Sequence, residues 1–222
     1  MDKIDLSHFP LFRNVPESTL SNIQKKLKVR LYPKKTVILK KGEPSRHLLF
    51  LVSGQADIID FDSEGGEVWI ATLEPGDHFG ELALILNEPR SADVIATSPS
   101  SVAFLSKNEA LSLLTEHPII ARNMMEHLAL TIKQQNLHLH MLNQPSATER
   151  IKALLLLKAR RYAGDLLVVE NLPSQAQLAK MANTSRETVS RTLAKLCREG
   201  VLEKDYKRLI IRKPDALMES NE

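Results

Sequence analysis

The chain has one cysteine, Cys197, so it can form no internal disulfide and supply no cysteine-built metal cluster. It also lacks an apolar run near the roughly 18 residues that a membrane-spanning helix needs, so no membrane partner is expected. The opening stretch "MDKIDLSHFP" has no positive region followed by an apolar core, and a cytoplasmic location is the expectation. Nothing in the chain resembles a nucleophile with its base, so no enzymatic activity is expected. Seven histidines all precede residue 141. Of these, His138 and His140 are two apart and point to different helix faces, a poor metal pair. His47 and His78 read as loop or surface residues.

What remains is ordinary for a folded protein: 222 residues, 43% hydrophobic and 26% charged. That length suits one large domain or two modest ones, each able to bury a core. The net charge of +3 hides an asymmetry. Residues 1–146 carry 15 Lys/Arg against 17 Asp/Glu, whereas residues 147–222 carry 15 against 10. Within 174–213 the count is 10 against 4. Basic charge gathered in one segment suits either a solvated surface or a polyanion, because phosphate contacts supply most non-specific nucleic-acid affinity.

From about residue 29 to 106, short runs such as "TVILKKG", "HLLFLVSGQADIIDF", "EVWIATLEPG" and "SVAFLS" alternate with Gly, Pro, Ser and Asp. Strands at such even spacing predict an antiparallel sandwich or barrel of the jelly-roll type. Helix follows. Ala121, Met125, Leu128, Ile132, Gln135, Leu139 and Leu142 recur in alternating steps of four and three, a heptad seam that predicts pairing with another helix. Gln135 is the polar exception in that seam, able to specify register or to face a ligand. Pro145 then ends the helix, and Ser146 with Glu149 begins another with a capping-box pattern.

"LPSQAQLAKMANTSRETVSRTLAKLCREG" reads as helix, tight turn, helix. Ser174 with Gln177 and then Ser185 supply N-caps, and Asn183 tolerates a left-handed turn. Leu178, Ala182, Val189, Leu193 and Leu196 would share one core. The opposite face offers Arg186, Glu187 and Arg191 near the start of the second helix, as a DNA major groove requires. Arginine can grip guanine O6 and N7, and a carboxylate can accept from cytosine N4. "VLEKDYKRLIIRKP" then predicts a β-hairpin whose Lys204, Lys207 and Arg208 suit phosphates. Earlier in the chain, "FGELALILNEPRSADV" sets Glu81 and Arg90 at the two ends of an apolar turn. They could be a structural ion pair, or two arms of a pocket for a ligand bearing hydroxyls and negative charge.

"FGELALILNEPRSADV" resembles the phosphate-binding cassette of cyclic-nucleotide-binding domains, and "SRETVSR" resembles the recognition helix of the cyclic AMP receptor protein family of bacterial transcription regulators. The resemblance covers nearly the whole chain. It implies an α+β architecture: a cyclic-nucleotide-binding β-roll (jelly roll) over 1–117, a dimerisation helix and hinge over 118–145, and a winged helix-turn-helix over 146–222. In the cassette it implies that Gly80 lets a phosphate approach the backbone and that the amides of Leu82 and Ala83 line the turn. Arg90 and Ser91 would then hold the exocyclic phosphate, and Glu81 the ribose 2′-hydroxyl. Gln135 and Asn136 fall where the family reaches the base, one residue from each subunit. Because an amide both donates and accepts, adenine and guanine both remain open there, while Ser91 favours cyclic AMP.

The resemblance further implies a homodimer on double-stranded DNA, with Ser185, Arg186, Glu187, Thr188, Arg191 and Lys207 at the interface and a palindromic operator of TGTGA-type half-sites. Contact with RNA polymerase is implied near "RRYAGDLL", which departs from the best-known member in length and composition. The cyclic nucleotide is the expected allosteric ligand, with no metal, haem or iron–sulfur cluster. Cyclic GMP, cyclic di-GMP or no ligand are the alternatives.

Overall fold

The computed structural model describes residues 4–162 and 166–218, so part of the "RRYAGDLL" segment, residues 163–165, lies outside the described residues. Two short 3-10 turns, Leu6–His8 and Pro10–Phe12, lead into α1 (Glu17–Lys26). Eight strands follow, interrupted by one short helix: β1 (Lys28–Tyr32), β2 (Val37–Leu39), β3 (His47–Ser53), β4 (Ala56–Phe61), β5 (Glu67–Leu73), β6 (His78–Phe79), α2 (Glu81–Ile85), β7 (Asp93–Ala96) and β8 (Ser100–Ser106). They form two antiparallel four-stranded sheets, ordered β1-β8-β3-β6 and β2-β7-β4-β5, the predicted roll.

"HLLFLV" reads as a continuous apolar run because β3 is covered on both faces, where alternation is not needed. Leu49 and Leu51 point between the sheets beside Val102 and Phe79. Leu48 and Phe50 point the other way, into a second core built with Phe9, Phe12, Leu20 and Ile23. Phe12 stacks on Phe50 with ring centroids 5.3 Å apart.

Helices α3 (Lys107–Glu116) and α4 (Pro118–Leu142) close the roll's outer face, with Ala110, Ile120 and Met124 in that second core. Proline opens α4, where its fixed φ suits the first turn and its missing N–H costs nothing. Ser106 caps α3 by accepting from the Glu109 amide. Among the described residues no helix is long and apolar enough to cross a membrane.

The chain divides into two compact units within α4, after Leu130. The second contains α5 (Ala147–Lys158), β9 (Arg160–Arg161), β10 (Leu167–Val169), α6 (Gln175–Met181), α7 (Arg186–Arg198), β11 (Leu202–Asp205), β12 (Arg208–Ile211) and α8 (Asp215–Met218). Ser146 caps α5 through the Glu149 amide, while the Glu149 carboxylate lies 3.3 Å from Lys152 Nζ. Strand β10 joins a four-stranded sheet ordered β11-β12-β10-β9. Val168 and Val169 are buried there, and pairing satisfies backbone groups that a bare connection would leave unpaired.

One polar side chain ties the roll's N-terminal turns to α4. Asn123, buried, donates from Nδ2 to the carbonyls of Leu11 and Arg13, each at 2.9 Å. Replacing Asn123 with alanine strands two acceptors in or near the core. It should cost about 1–3 kcal/mol of unfolding free energy, read from the urea midpoint at unchanged m-value.

Candidate functional site

The cassette is assembled by β6. This two-residue strand pairs with β3, Leu49 opposite Phe79 and Phe50 opposite His78. Gly80 follows with φ +82°, a left-handed conformation that glycine adopts without strain, and starts α2. A Cβ at this position would also collide with the Arg90 guanidinium, so the glycine serves both the turn and the close approach.

Arg90 arrives from the far side of the turn. Its amide donates to the Glu43 carbonyl, and its own carbonyl accepts from Gly42, which fixes the backbone. The side chain is only 5% exposed. It donates from one Nη to the Gly80 carbonyl and from the other to the His47 carbonyl, each at 2.7 Å. Arg90 therefore grips two backbone carbonyls of the cassette, and among the described residues no ion pair joins it to Glu81.

Glu81 is 9% exposed, and its carboxylate takes a bond from its own amide. Burial pushes this carboxyl above the usual range; that amide, His127 and Arg90 act against the shift. Burial also lowers the His47 imidazole, and Arg90, Arg30, Lys28 and Arg46 reinforce the effect, a sign of positive potential on this side of the roll. Ala83 is buried, while Leu82 and Ser91 are exposed at the turn surface. Gly80, Glu81, Leu82, Ala83, Arg90 and Ser91 thus share one turn-and-strand cluster. Gln135 and Asn136 are exposed on the second half of α4, which belongs to the other unit.

Two histidines depart from the sequence reading. His47 begins β3, half-buried, its ring edge-on to Phe104 at 5.7 Å. His78 is neither loop nor surface: it lies in β6 and is 3% exposed. A two-residue strand is too short to show alternation in sequence, so "GDHFG" reads as a turn. Pairing with Phe50 aims His78 towards α4, where its ring lies 4.1 Å from that of His127.

In the second unit, the Ser174–Gln177 capping box is complete and Ser185 accepts from the Thr188 amide. Asn183 takes φ +45° in the turn between α6 and α7. Leu178, Ala182, Val189, Leu193 and Leu196 are buried together. Ser185, Arg186, Glu187 and Arg191 are exposed, and Thr188 is half-buried. Lys207 is exposed at the tip of the β11–β12 hairpin. Arg150, which carries no signal in the sequence, braces the turn from α5: Nε donates to the Ala182 carbonyl at 2.8 Å and Nη2 to the Asn183 carbonyl at 3.0 Å.

Burial lowers His78 to about 3, below its ordinary 6.5, and His127 adds to the shift. A folded value below the unfolded one contributes stability that is complete above about pH 6.5 and is lost as pH falls towards 3. The loss approaches about 1.4 kcal/mol per pH unit. His78→Phe should flatten the slope of unfolding free energy in urea titrations between about pH 7 and about pH 4. An unchanged slope would place that proton elsewhere.

A model of the cyclic nucleotide-binding domain matches residues 29–117, and one of the Crp-like helix-turn-helix domain matches residues 149–220. The cyclic AMP receptor protein of Thermus thermophilus is 31% identical over 87% of this chain and 88% of its own length. A CRP-like cAMP-activated global transcriptional regulator of Mycobacterium tuberculosis is 26% identical over 98% of each chain. The crystal structure of the Thermus thermophilus catabolite activator protein covers 94% of this chain and 96% of its own at 30% identity, with a TM-score of 0.55. With a nucleotide-binding roll and a DNA-binding module in this order, and a relative so similar along most of its length, the chain belongs to the cyclic AMP receptor protein family as a cyclic-nucleotide-binding transcription regulator.

Proposed function

We propose that the protein is a homodimeric, cytoplasmic regulator that takes cyclic AMP in the 80–91 cassette and, when loaded, binds a palindromic operator of TGTGA-type half-sites. The observation that carries the ligand reading is the pairing of a buried acceptor with a buried donor in one turn. Glu81 presents a carboxylate with little hydrogen bonding of its own, suited to a ribose 2′-hydroxyl. A guanidinium has five N–H donors, and Arg90 engages two of them with carbonyls, leaving three for an exocyclic phosphate. Gly80 leaves room for that phosphate, the Leu82 and Ala83 amides face it, and Ser91 adds a hydroxyl. Gln135 and Asn136, contributed across the dimer, read the base.

The dimer reading rests on the α4 seam. Met125, Ile132 and Leu139 are 64%, 59% and 58% exposed in the single chain, an apolar stripe at heptad spacing. A second copy would cover it in a two-fold arrangement. That two-fold symmetry requires an inverted-repeat operator. The exposed Arg186, Glu187 and Arg191 at the start of α7 favour guanines and a cytosine over A/T-rich steps, Ser185 and Thr188 lie beside them at the helix start, and Lys207 contributes a phosphate contact.

Calorimetry with cyclic AMP, cyclic GMP and cyclic di-GMP tests the ligand; cyclic AMP should bind, and no heat with cyclic AMP would overturn it. Arg90→Leu should weaken cyclic AMP on the order of 2–5 kcal/mol. It should also lower stability by about 1–3 kcal/mol, because the Gly80 and His47 carbonyls lose their donors. In DNA selection, Arg186→Ala should relax preference at one base pair at a cost of roughly 1–3 kcal/mol. Lys207→Ala should instead weaken all sequences alike and flatten the salt dependence.

A further inference from the structure

The hairpin of the DNA-binding unit carries one side chain that its own fold does not use. Strands β11 and β12 pair in register from Leu202 with Ile211 to Asp205 with Arg208, so Tyr206 and Lys207 alone make the turn. Tyr206 is 93% exposed, the most open of the large apolar side chains among the described residues. It also takes φ +51°. Among the described residues five others besides glycine are left-handed, and four of these are asparagine, which tolerates that region. A bulky side chain is strained there, because its Cβ crowds the following carbonyl oxygen. Glycine or asparagine would turn the hairpin at less cost. Stability is given up at this position to hold an aromatic ring in water.

That ring is not on a loose tip. The Leu172 amide, in the segment before α6, donates to the Lys207 carbonyl at 2.8 Å and ties the turn to the helix-turn-helix. Arg212 and Glu203 pair at 2.7 Å towards the other end of the hairpin. The surroundings of the ring are basic: Lys204, Lys207 and Arg208 are all exposed, against Asp205 once Glu203 is paired. Lys207 Nζ lies 5.9 Å from the ring centroid. The backbone of duplex DNA suits both kinds of group, since it alternates charged phosphates with apolar deoxyribose faces. The same compact unit carries the exposed Arg186 and Arg191 of α7.

We propose that Tyr206 is a DNA-contact residue: held out on the pinned turn, its ring packs on a deoxyribose outside the base pairs that α7 reads, beside phosphates held by the basic residues around it.

The proposal rests on the reading of the protein as an operator-binding regulator and adds to it a contact that releases no counterion and chooses no base. Covering about 60 Å² of ring should raise affinity about tenfold.

Full-length Tyr206→Gly tests the contact, because glycine removes the ring and relieves the left-handed φ. Tyr206→Asn, which tolerates the same φ, is a second variant without the ring. Both should unfold at the urea concentration of the wild type or above it, so that weaker binding reports the lost contact and not a lost fold. With cyclic AMP and a duplex bearing the inverted repeat, both should lose about tenfold in affinity at every salt concentration. The slope of log affinity against log salt should stay unchanged, whereas Lys207→Ala flattens it. Tyr206→Phe, which keeps the ring, should bind as the wild type does. Hydroxyl-radical footprints read the sugar directly: protection of a deoxyribose in each half-site should vanish in Tyr206→Gly and persist in Tyr206→Phe, with protection under α7 unchanged in both. Unaltered affinity and footprint in Tyr206→Gly, or a loss that flattens the salt slope as Lys207→Ala does, overturns the proposal. If the wild type shows no preference for the inverted repeat, the operator reading falls. A sugar contact is blind to sequence, so the same affinity comparison on a random-sequence duplex still decides the role of Tyr206.

Discussion

A buried guanidinium with two carbonyl partners is the constraint on which the nucleotide-binding unit depends. Moving a permanent charge to 5% exposure is expensive unless hydrogen bonds replace water. Arg90 meets that demand with the Gly80 and His47 carbonyls, and in doing so ties the cassette turn to the first residue of β3. The left-handed Gly80 is a consequence, since only a residue without a Cβ leaves the guanidinium space. The two carbonyls also hold the planar guanidinium in one orientation.

The carboxylate beside it is held differently. Glu81 is buried and takes a bond from its own amide, and burial raises its carboxyl above the usual range. Strand β6 leads into it with two residues that alternate, Phe79 into the space between the sheets and His78 towards α4.

The DNA-binding unit is built on another principle. Its elements are short, and serine caps at 146, 174 and 185 define where three of its helices begin. The turn between α6 and α7 is then braced by Arg150, whose guanidinium donates to the Ala182 and Asn183 carbonyls at its start. Once the turn is fixed, the buried face of α7 leaves Arg186, Glu187 and Arg191 outside.

Much of this was legible in the chain itself. Caps, the heptad seam, the alternating and doubly buried strands and the two motifs are local patterns, written within a few residues of where they act. By itself the sequence therefore determined the roll, the helix-turn-helix with its hairpin, and which residues cluster at the cassette. Only the tertiary structure decided that Arg90 serves carbonyls before any ligand, that His78 is buried against His127, that Arg150 braces a turn 32 residues away, and that residues 167–169 join the hairpin's sheet. Each of these depends on which distant backbone group or side chain shares a dry space with a polar atom. That pairing is set by how the elements pack, and no periodicity in the sequence encodes it.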